Sequence, residues 1–307
     1  MYSFMNDYSE GAHPRILELL VQSNFEQNPG YGEDLHSEKA KKYIKNLIQK
    51  ENVDIHFIPG GTQTNLLVIS SFLRPHQCVI AADTGHINVH ETGAIEATGH
   101  KVVAMPCTDG KLTSATIQVA LDYHKDEHMV QPKMVYISNS TELGTIYSKA
   151  ELSDINNICR QNGLILFLDG ARMGSALTCR ENDLELGDIA QLVDVFYIGG
   201  TKNGALLGEA LVICNADLKK DFRYLIKQRG GLMAKGFVVG MQFEALFQDN
   251  LYFELASHAN RMAEQIATVI KECGYSFYCT YYRQSSKKGI FKRAGSGFCS
   301  TASYYKG

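Results

Sequence analysis

Between residues 53 and 198 the chain repeats one alternation: a short apolar, β-branched run, then a stretch whose apolar residues recur at helical spacing. VDIHFI (53–58), CVIAA (78–82), KVVAM (101–105), KMVYIS (133–138), LILFL (164–168) and VDVFYI (193–198) read as strands. TQTNLLVISSFL (62–73), HINVHETGAIEATG (86–99), LTSATIQVALDYHKDE (112–127) and KAELSDINNICRQNG (149–163) read as helices. Strands apolar on both faces need cover on both faces, and intervening helices supply it. The pattern predicts an α/β fold: a mainly parallel sheet in a three-layer arrangement. After about residue 215 the alternation stops. ADLKKDFRYLIKQ (216–228) and a segment from Phe237 to Gly274 read as helices, the second very long or broken. That segment suits a connector, so the chain divides into a large domain over 1–245 and a small C-terminal α+β domain over 246–307. The first 15 or so residues are expected against the small domain. From Tyr275 onward periodicity lapses, and the small domain reads as shortened or irregular from about 277.

A length of 307 residues accommodates one large and one small domain. A formal net charge of −3 leaves no basic footprint for nucleic acid. Eight cysteines are scattered without a CxxC pair, which signals neither a zinc site nor a redox couple. Several sit inside apolar runs, as small buried hydrophobes in a reducing cytoplasm do. The first residues show no basic segment followed by an apolar stretch, and uninterrupted apolar runs such as LILFL are only a few residues long. Neither a signal peptide nor a membrane span is expected.

Ligands of open α/β sheets bind beyond the carboxyl ends of the strands. After 53–58 comes PGGTQTN, which offers bare backbone at a helix start around Gly61, Thr62 and Gln63. That is a seat for an anion, or simply a helix start. It lacks the lysine and spacing of a Walker A loop, and no GxGxxG follows a strand. After 78–82 comes DTGHINVHETG, with His86 and His90 four apart on one helix face; no HExxH is present, and no metal is expected. After 164–168 comes DGAR, with Asp169 as a cap or a functional anion and Arg172 three residues on. After 193–198 comes GGTKNG. Lys202 stands thirty-three residues after Asp169, about one strand–helix–strand unit. The surrounding glycines are expected to let its amine reach a ligand without steric hindrance.

Pyridoxal phosphate uses all four features. Its phosphate needs backbone donors, its pyridine nitrogen a carboxylate, its aldehyde a lysine amine, and its ring face a flat group. Gly61 with Thr62, Asp169, Lys202 and His86 match those needs in turn.

Here the sequence resembles the low-specificity threonine aldolases, in the β-eliminating lyase and aldolase branch of the aspartate-aminotransferase-like fold type I enzymes. The resemblance runs from about Asn6 to Gly274 and is carried by NDYSEGAHP, GYGED (30–34), PGGTQTN, HINVHETGA, STELGT (140–145), LDGAR and GGTKNGALLGEALV. It implies a pyridoxal-phosphate-dependent transferase-like large domain that cleaves a 3-hydroxy amino acid, such as L-threonine or L-allo-threonine, to glycine and an aldehyde. Lys202 then carries the cofactor and Asp169 pairs with its ring nitrogen. Gly61, Thr62 and Gln63 hold its phosphate, His86 stacks on the ring and serves as candidate base, and Arg172 grips the substrate carboxylate. The resemblance also implies a basic phosphate contact from Lys235, at a subunit boundary. Asn6 and Tyr31 fall among the substrate contacts, with Glu33 and Tyr31 near a neighbour's site. The family forms homotetramers, so a dimer or tetramer is implied.

Two departures stand out. Glu142 occupies about the place where many members carry a histidine near the substrate side chain. Beyond Phe277 the resemblance stops, and neither Arg283 nor Arg293 matches the second arginine that family members use for the substrate carboxylate. Alternative readings are another reaction of the same cofactor, β-elimination or transamination, and a weak or inactive homologue.

Overall fold

In the computed structural model, which describes residues 5–275, seven strands form one sheet. Two helices come first, α1 (Pro14–Gln22) and α2 (Leu35–Ile48). The alternating region follows as β1 (Asp54–Ile58), α3 (Gly61–Phe72), β2 (Gln77–Ala82), α4 (His86–Val89), β3 (Lys101–Met105), α5 (Ser114–Tyr123), β4 (Gln131–Ser138) and α6 (Lys149–Gln161). Then come β5 (Ile165–Asp169), α7 (Met173–Leu177), α8 (Leu186–Leu192), β6 (Val195–Gly199), β7 (Glu209–Ile213), α9 (Phe222–Gln228), α10 (Phe237–Phe247) and α11 (Leu251–Glu272).

Across the sheet the order is β1-β7-β6-β5-β4-β2-β3. The pairs β2–β3, β2–β4, β4–β5 and β5–β6 are parallel, and β7 runs antiparallel to both β1 and β6. The mainly parallel, three-layer expectation holds. Strand succession reverses between β2 and β4, which opens the ligand crevice at their carboxyl ends. β2, β5, β6 and β7 are buried along their whole length.

Period-2 alternation splits the core into two layers. Leu166, Leu168, Phe196 and Ile198 face one side, with Ile44 of α2 and Phe243 of α10. Ile165, Phe167, Val195 and Tyr197 face the other, with Leu67 and Val68 of α3 and Phe222 of α9.

Two local expectations need correction. The 86–99 segment is helical only through Val89; Thr92 and Gly93 take positive φ (53° and 71°), and just a 3₁₀ turn at Glu96–Thr98 follows. The strand written as 164–168 extends to Asp169, so that carboxylate is the last strand residue. Of the two readings of the C-terminal helical segment, very long or broken, the broken one holds: Asn250, at φ 62°, separates α10 from α11. The helices before residue 53 carried no alternating signal. α2 is started by Asp34, which accepts a hydrogen bond from the Ser37 amide at 2.8 Å. The expected tail features at Phe277, Arg283 and Arg293 lie outside the described residues.

Candidate active site at the strand ends

Asp169 continues the alternation of β5, so its side chain points to the α3 layer, on the same side as Tyr136 and Tyr197. It is 4% exposed. Oδ2 accepts from the Tyr136 hydroxyl and, at 3.3 Å, from Asn65 Nδ2 of α3, while Oδ1 accepts from the Ala171 amide at 2.9 Å. Burial, and then the Asp169 charge, push the Tyr136 and Tyr197 phenols well above their ordinary range, so they remain donors.

The two loops carrying Asp169 and Lys202 touch backbone to backbone. Gly199 N donates to Gly170 O at 2.9 Å. A Cβ on Gly170 would stand 2.0 Å from Tyr197 O, and one on Gly199 would stand 2.3 Å from Ala171 O. These two glycines therefore serve loop-on-loop contact. Around Lys202 the loop is pinned on every side. Glu209 accepts from Gly200 N at 3.1 Å and Thr201 Oγ1 at 2.9 Å, Gln242 accepts from Leu206 N at 2.7 Å, and Asn203 Nδ2 donates to Tyr252 O at 2.7 Å. The Tyr252 hydroxyl on α11 donates to Gly199 O and accepts from Gly174 N, tying both loops together. Burial, reinforced by the Arg172 charge, lowers the Lys202 amine below its ordinary value. An amine so lowered is a better nucleophile near neutrality. Burial pushes Glu209 up to about 8.

His86 follows β2, and its ring nitrogen Nδ1 lies 2.8 Å from Glu91 Oε1. Its backbone amide donates to Glu142 Oε1 at 3.0 Å, and Ser138 Oγ donates to the same oxygen at 2.9 Å. Glu142, expected at the substrate side chain, thus holds the start of α4. Burial, and then the Asp169 charge, raise its carboxyl. Burial opposes charging of His86, but the Glu91 hydrogen bond and the Asp169 charge outweigh it and leave the imidazole raised.

The start of α3 is bare. Its N-cap, Gly60, makes no side-chain cap bond, and nothing stands within 4 Å of where its Cβ would be. Gly61 lies against the Tyr197 hydroxyl, 3.4 Å from where its own Cβ would be, which joins this seat to the Asp169 pocket. Gln63 Nε2 reaches Arg229 O at 2.9 Å, and Thr62 is exposed. Arg172 is buried and grips Asp7, the neighbour of Asn6; the Asn6 side chain accepts from Tyr8 N and Ser9 Oγ. Tyr31, Glu33 and Lys235 are not gathered with these groups. Tyr31 N donates to Ala234 O, Arg223 pairs with Glu33, Lys227 lies 4.5 Å over the Tyr31 ring, and Lys235 is exposed in the turn before α10.

Pyridoxal phosphate fits the residues present. An uncapped twelve-residue helix start with open space before it offers unpaired N–H groups to a phosphate. Beyond it stand a buried carboxylate that accepts from a phenol, a lowered lysine amine and an imidazole. The reading from sequence missed Asn65, Glu91, Tyr136, Tyr197, Glu209 and Asp7. A polar residue within an apolar strand marks Tyr136 and Tyr197; the partners of the others are set by folding.

The beta-eliminating lyase family matches residues 14–286. The low specificity L-threonine aldolase of Pseudomonas aeruginosa is 32% identical over 88% of this chain and 78% of its own. The solved structure of Leishmania major threonine aldolase is 57% identical with a TM-score of 0.89, over 90% of this chain and 80% of that one. Thermus thermophilus aspartate aminotransferase shares the fold, with a TM-score of 0.70 at 13% identity.

Proposed function

The chain belongs to the beta-eliminating lyase family, and from that membership we propose that it splits a 3-hydroxy amino acid, such as L-threonine or L-allo-threonine, into glycine and an aldehyde. It is a pyridoxal-phosphate-dependent carbon–carbon lyase. The observation that carries the site assignment is the lowered Lys202 amine on a loop packed directly against the one that follows Asp169.

When bound, pyridoxal phosphate supplies the sink for the electron pair left on the substrate Cα. Lys202 would anchor it through the amine, Asp169 would receive its ring nitrogen, and Gly61, Thr62 and Gln63 would present N–H groups to its phosphate. Arg172 receives the substrate carboxylate, with Asn6 beside it. His86 would stack on the ring and would take the β-hydroxyl proton, directly or through a water. As that proton leaves, the Cα–Cβ bond breaks, Cβ departs as the aldehyde carbon, and a proton delivered to Cα yields glycine. Glu142 holds the His86 backbone at the side-chain end of the site.

The homo-oligomer, a dimer or tetramer, belongs to the same proposal. Val21, Phe25 and Leu35 are 75%, 90% and 74% exposed, large apolar side chains that a second copy would cover. Tyr31, Glu33 and Lys235 would then face a neighbour's site. None of the six described cysteines forms a disulfide with another, which supports a cytoplasmic setting. No described helix is long and apolar enough to cross a membrane. A division near 245 also remains part of the proposal, with α11 bridging it through Tyr252.

The test is product identity. Purified holoenzyme given L-threonine should release acetaldehyde, read by coupled reduction with alcohol dehydrogenase, and glycine in equal amount. Pyruvate and ammonia from L-serine would instead indicate elimination. Bound cofactor with no product would indicate an inactive homologue. Lys202→Ala should lose the cofactor that borohydride otherwise fixes covalently to the chain.

A further inference from the structure

We propose that Glu91 is a positioning residue for His86: its buried carboxylate holds the imidazole as the Nδ1–H tautomer and so leaves the Nε2 lone pair to take the substrate's β-hydroxyl proton. The inference rests on the reading of His86 as the base.

Glu91 is 5% exposed, and its side chain is wholly buried. Burying a carboxylate is costly unless donors surround it. Here one oxygen does the binding. Oε1 accepts from Asn65 Nδ2 at 2.7 Å and faces His86 Nδ1 at 2.8 Å, whereas Oε2 has no partner. The Asn65 amide reaches both Glu91 and Asp169 through Nδ2, and two carboxylate acceptors settle which way that amide points. Oε1 is therefore an acceptor, and the ring nitrogen opposite it must donate. That specifies the tautomer.

The backbone is arranged to bring Glu91 there. In a continuous helix five residues turn about 140° from the starting face, so Glu91 would point away from His86. The helix instead ends at Val89, and Thr92 and Gly93 turn with positive φ. Glu142 fixes the backbone of His86 while Glu91 fixes its ring. The charged and titratable groups around the ring are Glu91 and His90 from its own segment, Asp169 from β5, Glu142 from the loop after β4, and Lys202 from the β6–β7 loop.

The test combines ¹⁵N NMR of histidine-labelled apo- and holoenzyme with pH–rate profiles, using Glu91→Gln and Glu91→Leu, and His86→Asn to assign the resonance. The wild-type His86 signal should report a protonated Nδ1. Glu91→Gln keeps an acceptor without the charge, so the tautomer should persist while the titration midpoint falls. The acid limb of kcat/KM for threonine should move down by the same amount. Glu91→Leu should lose the tautomer preference and lower kcat about 100-fold with KM within about threefold, the size of a misplaced general base. An Nε2–H tautomer in the wild type, or identical His86 titration in wild type and Glu91→Gln, would overturn the proposal. Full turnover by His86→Asn alongside the expected NMR result would remove the base assignment while the Glu91 contact stood.

Discussion

Asp7 closes on Arg172 with both carboxylate oxygens: Oδ2 accepts from Nε at 2.6 Å and Oδ1 from Nη2 at 3.2 Å. Two parallel bonds fix the plane of a guanidinium as well as its position. The Arg172 side chain is 8% exposed, so the N-terminal segment supplies the counter-charge for a cation held at the end of β5.

Replacing Asp7 with Asn leaves a single acceptor oxygen and frees the guanidinium plane. KM for threonine should rise about 5- to 10-fold, near 1 kcal/mol, with kcat within about twofold. Steady-state kinetics decide it. A fall in KM would mean that Asp7 competes with the substrate carboxylate for Arg172.

The lowered Lys202 amine predicts the pH course of cofactor attachment. Burial first, and Arg172 second, favour the neutral amine, which is the form that reacts. Attachment to apoenzyme should therefore speed up with rising pH and level off below the ~10.4 of free lysine. Arg172→Gln should move that midpoint upward. Borohydride quenching at timed intervals followed by intact-mass measurement gives the rate. A wild-type midpoint at or above that of free lysine would contradict the proposed desolvation.

Gly199→Ala places a methyl 2.3 Å from Ala171 O, so the Lys202 and Asp169 loops must separate. The cost should be about 1–3 kcal/mol, seen as a lower Tm and reduced cofactor content. Gly11→Ala, with nothing within 4 Å of the new methyl, is the control and should leave Tm within about 1 °C. Equal Tm for the two variants would remove the loop-contact argument.

His36 on α2 is buried between two carboxylates, donating to Glu244 of α10 and, at 2.8 Å, to Glu26. Burial opposes its charge, but the Glu26 and Glu244 hydrogen bonds more than offset this and raise its pKa. A raised folded value means the contribution is complete below the unfolded value near 6.5 and is lost as pH climbs through the folded one. The Tm gap between wild type and His36→Asn should be on the order of 2–4 °C at pH 6 and shrink toward pH 9. A gap that widens with pH would show that the imidazole is held neutral.

Much of this site was legible before folding. Asp169, Lys202 and His86 each follow an apolar run, and a residue just past a parallel strand arrives at the common ligand edge whatever the rest of the chain does. The same runs announced the three layers, because a segment apolar on both faces must be covered twice. Such patterns are local: they record which face avoids water, and that preference survives almost any arrangement of neighbours.

Partnership is not local. Glu91 meets His86 because a helix stops at Val89 and the chain turns at Thr92, and a helical reading of 86–99 sends that carboxylate elsewhere. Asp7 reaches Arg172, Glu244 reaches His36, and Tyr252 reaches Gly199 across long stretches of chain. The residue types at these positions are common on any surface. Their acceptors and donors meet only when distant segments are packed to within 3 Å or so. Packing that follows from the closure of the whole core set the ring tautomer, the plane of the guanidinium and the depressed amine.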